Sequence, residues 1–143
     1  MATMNLTQHA ATADQIAAGV FDLPAAARAD LQALLTFGEL PDEQEIRARA
    51  EQIAGMAALY ASAEDRADDA GALPEGDAGG FALHAMIGGA LWLMAPLAAA
   101  LREQGIEAVF AFSVRETEEQ KQADGSVRKV AVFRHAGFVP AVA

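Results

Sequence analysis

Arg134 and His135 stand side by side in VFRHAGF, residues 132–138, inside a segment whose apolar alternation reads as a β-strand. A guanidinium holds a phosphate and an imidazole moves a proton near neutral pH, so this pair is suited to anion chemistry. Upstream, SVRE supplies Ser113, Arg115 and Glu116 on a second strand-like segment. The Asp124-Gly125 pair between them is the strongest hairpin signal in the chain. With Asp124 and Gly125 as the two central residues of a tight turn, Arg115 falls opposite Arg134 and Val114 opposite His135. Like charges in direct opposition destabilise a sheet. Three resolutions are open: both side chains reach into water, Glu116 and the acids at 118 and 119 compensate them, or an anion sits between the guanidinium groups.

A second group of polar residues follows the first apolar run. TQHAAT, residues 7–12, offers Thr7, Gln8 and His9 just ahead of a helix start, where free N–H groups and the dipole favour phosphate. Plain helix capping by Thr12, with His9 on the surface, explains the same pattern. Gly88-Gly89, after a buried strand, lets backbone approach a ligand closely, or simply allows close packing. The pair lacks the dinucleotide fingerprint and the lysine of a P-loop. His84 lies on an apolar strand and reads as a core histidine with a hydrogen-bond partner. Three histidines without HxH or HExxH spacing compose no metal site, and no GxSxG elbow activates Ser113.

These groups need a scaffold, and the periodicity describes one. MNLTQ is a short strand, and Thr12 to Gln15 is a capping box that opens a helix to about Ala18, stopped by Gly19. VFDL is a strand; Pro24 opens a helix to Phe37 striped by Leu31, Leu34 and Leu35. A longer helix runs from Pro41 to about Ala63. Residues 64–79 combine charge, glycine and proline and read as a flexible loop. FALHAMI is a buried strand, and Pro96 suits a first helical turn, so the next helix starts near Met94 and ends at Gly105. IEAVFAFSVRE and SVRKVAVFRH are the two strands of the hairpin. This order predicts a single α/β domain over 1–143, with a mainly parallel sheet and a C-terminal antiparallel hairpin. Ligands of such sheets sit beyond the carboxyl ends of the strands: after MNLTQ, after HAMI and at the far end of AVFAFS.

Charge narrows the partners. The net charge of -10 argues against long nucleic acid, which draws its affinity from Lys and Arg. Residues 39–77 hold eleven acids against three arginines, whereas residues 101–143 hold six of each sign. The acidic stretch reads as a solvated helix and loop, or as a face for a protein partner. A small anionic ligand remains compatible with the balanced C-terminal third. The absence of cysteine removes disulfides and thiolate metal sites. The start MATMNLTQH has no signal-peptide pattern, and the apolar run FALHAMIGGALWLMAPLAAAL is broken by His84, glycines and Pro96, so the expected place is the cytoplasm, with no membrane span.

Leu6, Thr7, Gln8 and His9, then Gly88 and Gly89, then Ser113, Arg115 and Glu116, then Glu119, Asp124 and Gly125, and finally Val132, Phe133, Arg134, His135 and Phe138 form a pattern. It resembles the small CRISPR-associated ring nucleases with a Rossmann-like, CARF-like fold, and bacterial and phage proteins with an NLTQH start. The match covers the last third well and the first fifteen residues loosely. It departs from that family in placing His9 after Leu-Thr-Gln. The resemblance implies a Rossmann-like three-layer domain that binds cyclic tetra-adenylate across the axis of a homodimer. It also implies metal-independent, cofactor-free attack of a ribose 2'-hydroxyl on the adjacent phosphodiester, giving a 2',3'-cyclic phosphate. On that reading Arg115 or Arg134 stabilises the phosphate, His9 or His135 moves a proton, and Thr7, Gln8, Gly88, Gly89, Ser113 and Glu116 surround the ligand. A sensor or sponge that binds the same messenger without cleaving it would use the same pocket.

Overall fold

Alternating short apolar runs and helical stripes, many closed by glycine or proline, become nine elements around one sheet among the described residues. A computed structural model describes residues 2–67 and 83–142. Its elements are β1 (Thr3–Leu6), α1 (Ala13–Ala17), β2 (Val20–Asp22), α2 (Ala25–Leu35), α3 (Glu43–Ala67), β3 (Leu83–Ile87), α4 (Leu91–Glu103), β4 (Ile106–Lys121) and β5 (Val127–Pro140). The strand order is β2-β1-β3-β4-β5. Strands β1 to β4 run parallel, and β5 returns antiparallel to β4. The domain is therefore mixed α/β with a mostly parallel sheet and a C-terminal antiparallel pair, as expected.

The pleat sorts side chains onto two faces. Met4, Leu6, Leu83, Ala85, Ile87, Ile106 and Ala108 join Leu31 and Leu35 of α2, Ile53 of α3, and Leu93, Leu97 and Leu101 of α4 in the main core. Each fully buried leucine contributes about 1.5–3 kcal/mol, so this face dominates stability. The opposite face holds a smaller cluster of Val20, Met86 and Val109 with Ala11 and Phe138. Its remaining buried residues are polar: Thr3, Asn5 and His84. His84 Nε2 lies 3.4 Å from Glu107 Oε2, its neighbour in register on β4, in keeping with a core histidine.

The expected caps form. Thr12 Oγ1 accepts from the Gln15 N–H at 3.2 Å, and Gln15 Oε1 accepts from the Thr12 N–H at 3.0 Å. Gly19, with φ 97°, ends the turn after α1. Helix α4 differs: it starts at Leu91, so Pro96 sits inside it and removes the N–H that would reach the Trp92 carbonyl. The apolar stripe of Leu93, Met94, Leu97 and Leu101 outweighs that loss. Helix α3 continues through Ala67, and the rest of the loop expected over 64–79 lies outside the described residues, as do residues 81 and 82 of FALHAMI.

The hairpin register also differs. The Gly125 N–H donates to the Gln122 carbonyl at 3.0 Å, and the Gln122 N–H donates to the Ser126 carbonyl at 2.7 Å. The loop thus has three central residues, 123 to 125, with Gly125 at φ 88°, instead of the two expected. One extra loop residue shifts the pairs from Lys121 to Ser113 by one, so that Arg115 lies opposite Phe133, Val114 opposite Arg134 and Ser113 opposite His135, and the irregularity between Phe112 and Ser113 restores the expected register beyond it. Adjacent strand residues point to opposite faces, so Arg115 and Arg134 do not confront each other. The expected anion site between two opposed guanidinium groups is not formed.

Candidate functional site

Asn5 is the residue that shapes the first wall of the site. It is buried on β1, and its Nδ2 donates to Asp22 Oδ1 of β2 at 2.7 Å and to the His9 carbonyl at 2.8 Å. Its Oδ1 accepts from the Thr7 N–H at 3.0 Å and from the Thr7 hydroxyl at 2.7 Å. Asp22 in turn accepts from the Ala11 N–H at 3.1 Å. A buried polar side chain carries a desolvation cost unless its hydrogen bonds are made. Here they are made by the β1–α1 loop, which is thereby held in one conformation. Gln8 extends the anchoring: its carbonyl accepts from Gln32 of α2 at 3.1 Å.

The second wall is the turn between β3 and α4. Gly89 has φ +135°, a conformation that L side chains rarely adopt, and a Cβ on Gly88 would meet Thr7 Cγ2 at 3.5 Å. The two glycines therefore bring this turn against the β1–α1 loop. Ala90, the N-cap of α4, makes no side-chain cap, which leaves the first N–H groups of that helix without a side-chain acceptor at Ala90. Strand order reverses between β1 and β3, the point at which open α/β sheets bind ligands.

An open cavity of about 660 Å³ occupies this point. Thr7, Gln8, His9, Ala10, Thr12 and Gln15 line one side, Met86 to Gly89 another, and Phe110 with Ala111 of β4 a third. The structure thus brings together five of the residues singled out in the sequence: Thr7, Gln8, His9, Gly88 and Gly89. The other five do not line the cavity. Ser113, Arg115 and Glu116 continue along β4 past its rim, all exposed. Arg134 stands 3.8 Å from Glu116 and 3.7 Å from Glu118, exposed ion pairs of small worth. His135 packs on Phe138 with ring centroids 4.7 Å apart, and neither of its ring nitrogens has a hydrogen-bond partner among the described residues. Both Arg134 and His135 border a different hollow, beside Asp14 and Ala17 of α1.

Residues 1–139 match the model of the uncharacterized protein MJ1673 family. The chain belongs to this family. No curated protein and no solved structure matches it. Family membership spans the cavity walls and both hairpin strands to residue 139, and the chemistry of the site is left to its geometry.

Sequence reasoning missed Asn5 and Asp22, which position the loop, and named Ser113 where Phe110 and Ala111 supply the third wall. A signal for Asn5 was present: in TMNLT the polar residues alternate with Met4 and Leu6, which puts Asn5 on a sheet face. Among the described residues no group of three or more His, Cys, Asp or Glu is arranged to hold a metal ion. Among them, too, no helix is long and apolar enough to cross a membrane.

Proposed function

We propose that the chain binds a small phosphorylated nucleotide in the cavity between the β1–α1 loop and the β3–α4 turn. The observation that carries this reading is the coincidence of the cavity with the reversal of strand order, beside a glycine turn and a helix start without a side-chain cap. Backbone N–H groups at such a place favour phosphate oxygens. A volume of about 660 Å³ lies in the range of ordinary ligand pockets. The ligand class is a cyclic oligoadenylate such as cyclic tetra-adenylate, taken from the sequence resemblance, and the fold is a Rossmann-like three-layer domain in which α1 forms the thinner outer layer.

Binding without cleavage, as in a sensor or sponge, is the form that the lining supports best. Among the described residues His9 is the one titratable group that lines the cavity, and no lysine or arginine joins it there. In-line attack by a 2'-hydroxyl adds negative charge that positioned donors must hold, and Arg115 and Arg134 lie outside this wall. The ring nuclease is the second reading, favoured by His9 as a proton carrier at the cavity. Incubation with a panel of cyclic nucleotides, followed by chromatography and calorimetry, separates the two. Recovery of intact cyclic tetra-adenylate with saturable heat supports the binder. A linear product, slowed in His9→Ala, supports the nuclease. Neither heat nor product removes the nucleotide reading.

A further inference from the structure

Helix α4 buries Leu93, Met94, Leu97 and Leu101, but its first turn opens with two large apolar residues outside that stripe. Leu91 is 86% exposed and Trp92 is 51% exposed. The Trp92 indole is nevertheless held from one side. Phe37, just past α2, meets it edge to face, with ring centroids 5.4 Å apart and planes at 75°. Arg49 of α3 sets its guanidinium 4.2 Å from the centroid of the Phe37 ring. That guanidinium donates to the Thr36 carbonyl at 2.6 Å and the Leu34 carbonyl at 3.2 Å, and it pairs with Glu45 at 2.8 Å. A brace from Glu45 through Arg49 and Phe37 thus fixes the position of one half-exposed ring.

Both ends of this aromatic pair adjoin the cavity. Gly89 of the cavity wall precedes Trp92 by three residues, and Trp92 is the second residue of α4. Side chains on a helix lean toward its N-terminus, which here is the end at the cavity. On the other side, Gln8 of the wall holds its Nε2 3.5 Å from Thr36 Oγ1, and Phe37 follows Thr36. The pair therefore stands at the rim, between the Gly88-Gly89 turn and the β1–α1 loop, outside the lining itself. Phe110, the phenyl ring of the lining, packs against the main core, whereas half of Trp92 is exposed.

We propose that Trp92 is the base-stacking residue of the nucleotide site: phosphate lies against the Gly88-Gly89 turn and the start of α4, and a purine base stacks on the indole. The inference rests on the nucleotide reading above and adds to it where the base goes. Among the described residues the lining brings no lysine or arginine to the phosphate, so much of the affinity has to come from the rest of the ligand. Stacking on an aromatic ring supplies it, because every base has a π face. In either sense of the T-shaped contact, Phe37 leaves at least one indole face clear of itself. The fused indole rings overlap a purine more fully than a pyrimidine. Trp92 thereby selects purine nucleotides over sugar phosphates that fit the same cavity.

Trp92 is the single tryptophan of the chain, so its fluorescence reports this ring without background. Acrylamide is expected to quench the native chain. Cyclic tetra-adenylate is expected to quench it saturably, with the midpoint that calorimetry gives, and ribose 5-phosphate, which has no base, to leave the emission unchanged. Trp92→Leu is expected to bind cyclic tetra-adenylate about tenfold more weakly, the scale of one stacked base, and Trp92→Phe to keep most of the affinity. Heat with unchanged emission, or Trp92→Leu binding as tightly as the native chain, overturns the stack and leaves the cavity reading in place. Equal weakening in the leucine and phenylalanine variants overturns it too, since an aromatic ring then makes no difference. So does a Trp92 shielded from acrylamide, which a base could not reach. Absence of both heat and product with the cyclic nucleotides removes the cavity reading and the stack together. Should Trp92→Leu fail to fold by circular dichroism, the emission of the native chain with the base-bearing and base-free probes decides.

Discussion

Gly88 and Gly89 are neighbours with different physical duties. Gly89 holds φ +135°, so Gly89→Ala forces a strained backbone and is expected to cost about 1–2 kcal/mol in urea unfolding. The Cβ of Gly88→Ala meets Thr7 Cγ2 at an ordinary 3.5 Å, so that variant keeps its stability. The new methyl group stands on the cavity wall, however, and nucleotide affinity measured by calorimetry is expected to fall about tenfold, or ~1.4 kcal/mol. Asn5 acts from behind that wall. Asn5→Ala leaves Asp22 and the Thr7 N–H without this partner, and a loss of about 1–3 kcal/mol is expected in the same unfolding measurement. The roles of Thr7, Gln8 and His9 as wall residues were legible because they directly follow an apolar strand. Asn5 was harder to read, since a side chain's partners on a strand distant in sequence appear only when the sheet pairs.

At the scale of the element, the β4–β5 turn shows how one residue changes a site. Asp124 Oδ1 accepts from the Ser126 hydroxyl at 2.6 Å and the Ser126 N–H at 2.9 Å. These bonds hold the Asp124 carboxyl below its ordinary pKa, the hydroxyl contributing most. A carboxyl lowered by folding supports the turn above its unfolded pKa, and that support is lost as pH falls through the folded value. An NMR titration is therefore expected to show the Ser126 amide and the Asp124 carboxyl inflecting together, below the usual aspartate range. An inflection at or above that range would remove the Ser126 bonds as the cause. The hairpin itself was plain from Asp124-Gly125 between alternating segments, but its register was not. Two- and three-residue loops both suit this pair, and the choice decides whether Arg115 confronts Arg134 or Phe133. Helix α4 makes a similar point: a proline normally marks a first turn, yet five buried side chains hold Pro96 in an interior.

At the scale of the whole molecule, charge sets a further expectation. A net charge of -10 sets the folded chain against itself, and added salt screens that repulsion. The urea midpoint of unfolding is expected to rise as sodium chloride goes from about 0.05 to 0.5 M, where the Debye length falls to a few ångströms. A fall over that range would mean that ion pairs within the fold outweigh that repulsion. What the sequence determined by itself is local or periodic: the α/β class, the parallel sheet with its antiparallel close, the Thr12 capping box, and the strand ends that border the cavity. Each follows from side-chain spacing and cap or turn chemistry, which act over a few residues. Only the tertiary structure decided which polar residues share a cavity. Strand order set Thr7 to His9 beside Gly88 and Gly89, while a loop one residue longer and the end of β3 at Ile87 carried Arg115 and Arg134 onto an exposed ribbon. Those are consequences of pairing between distant segments, where a shift of one residue turns a side chain to the opposite face.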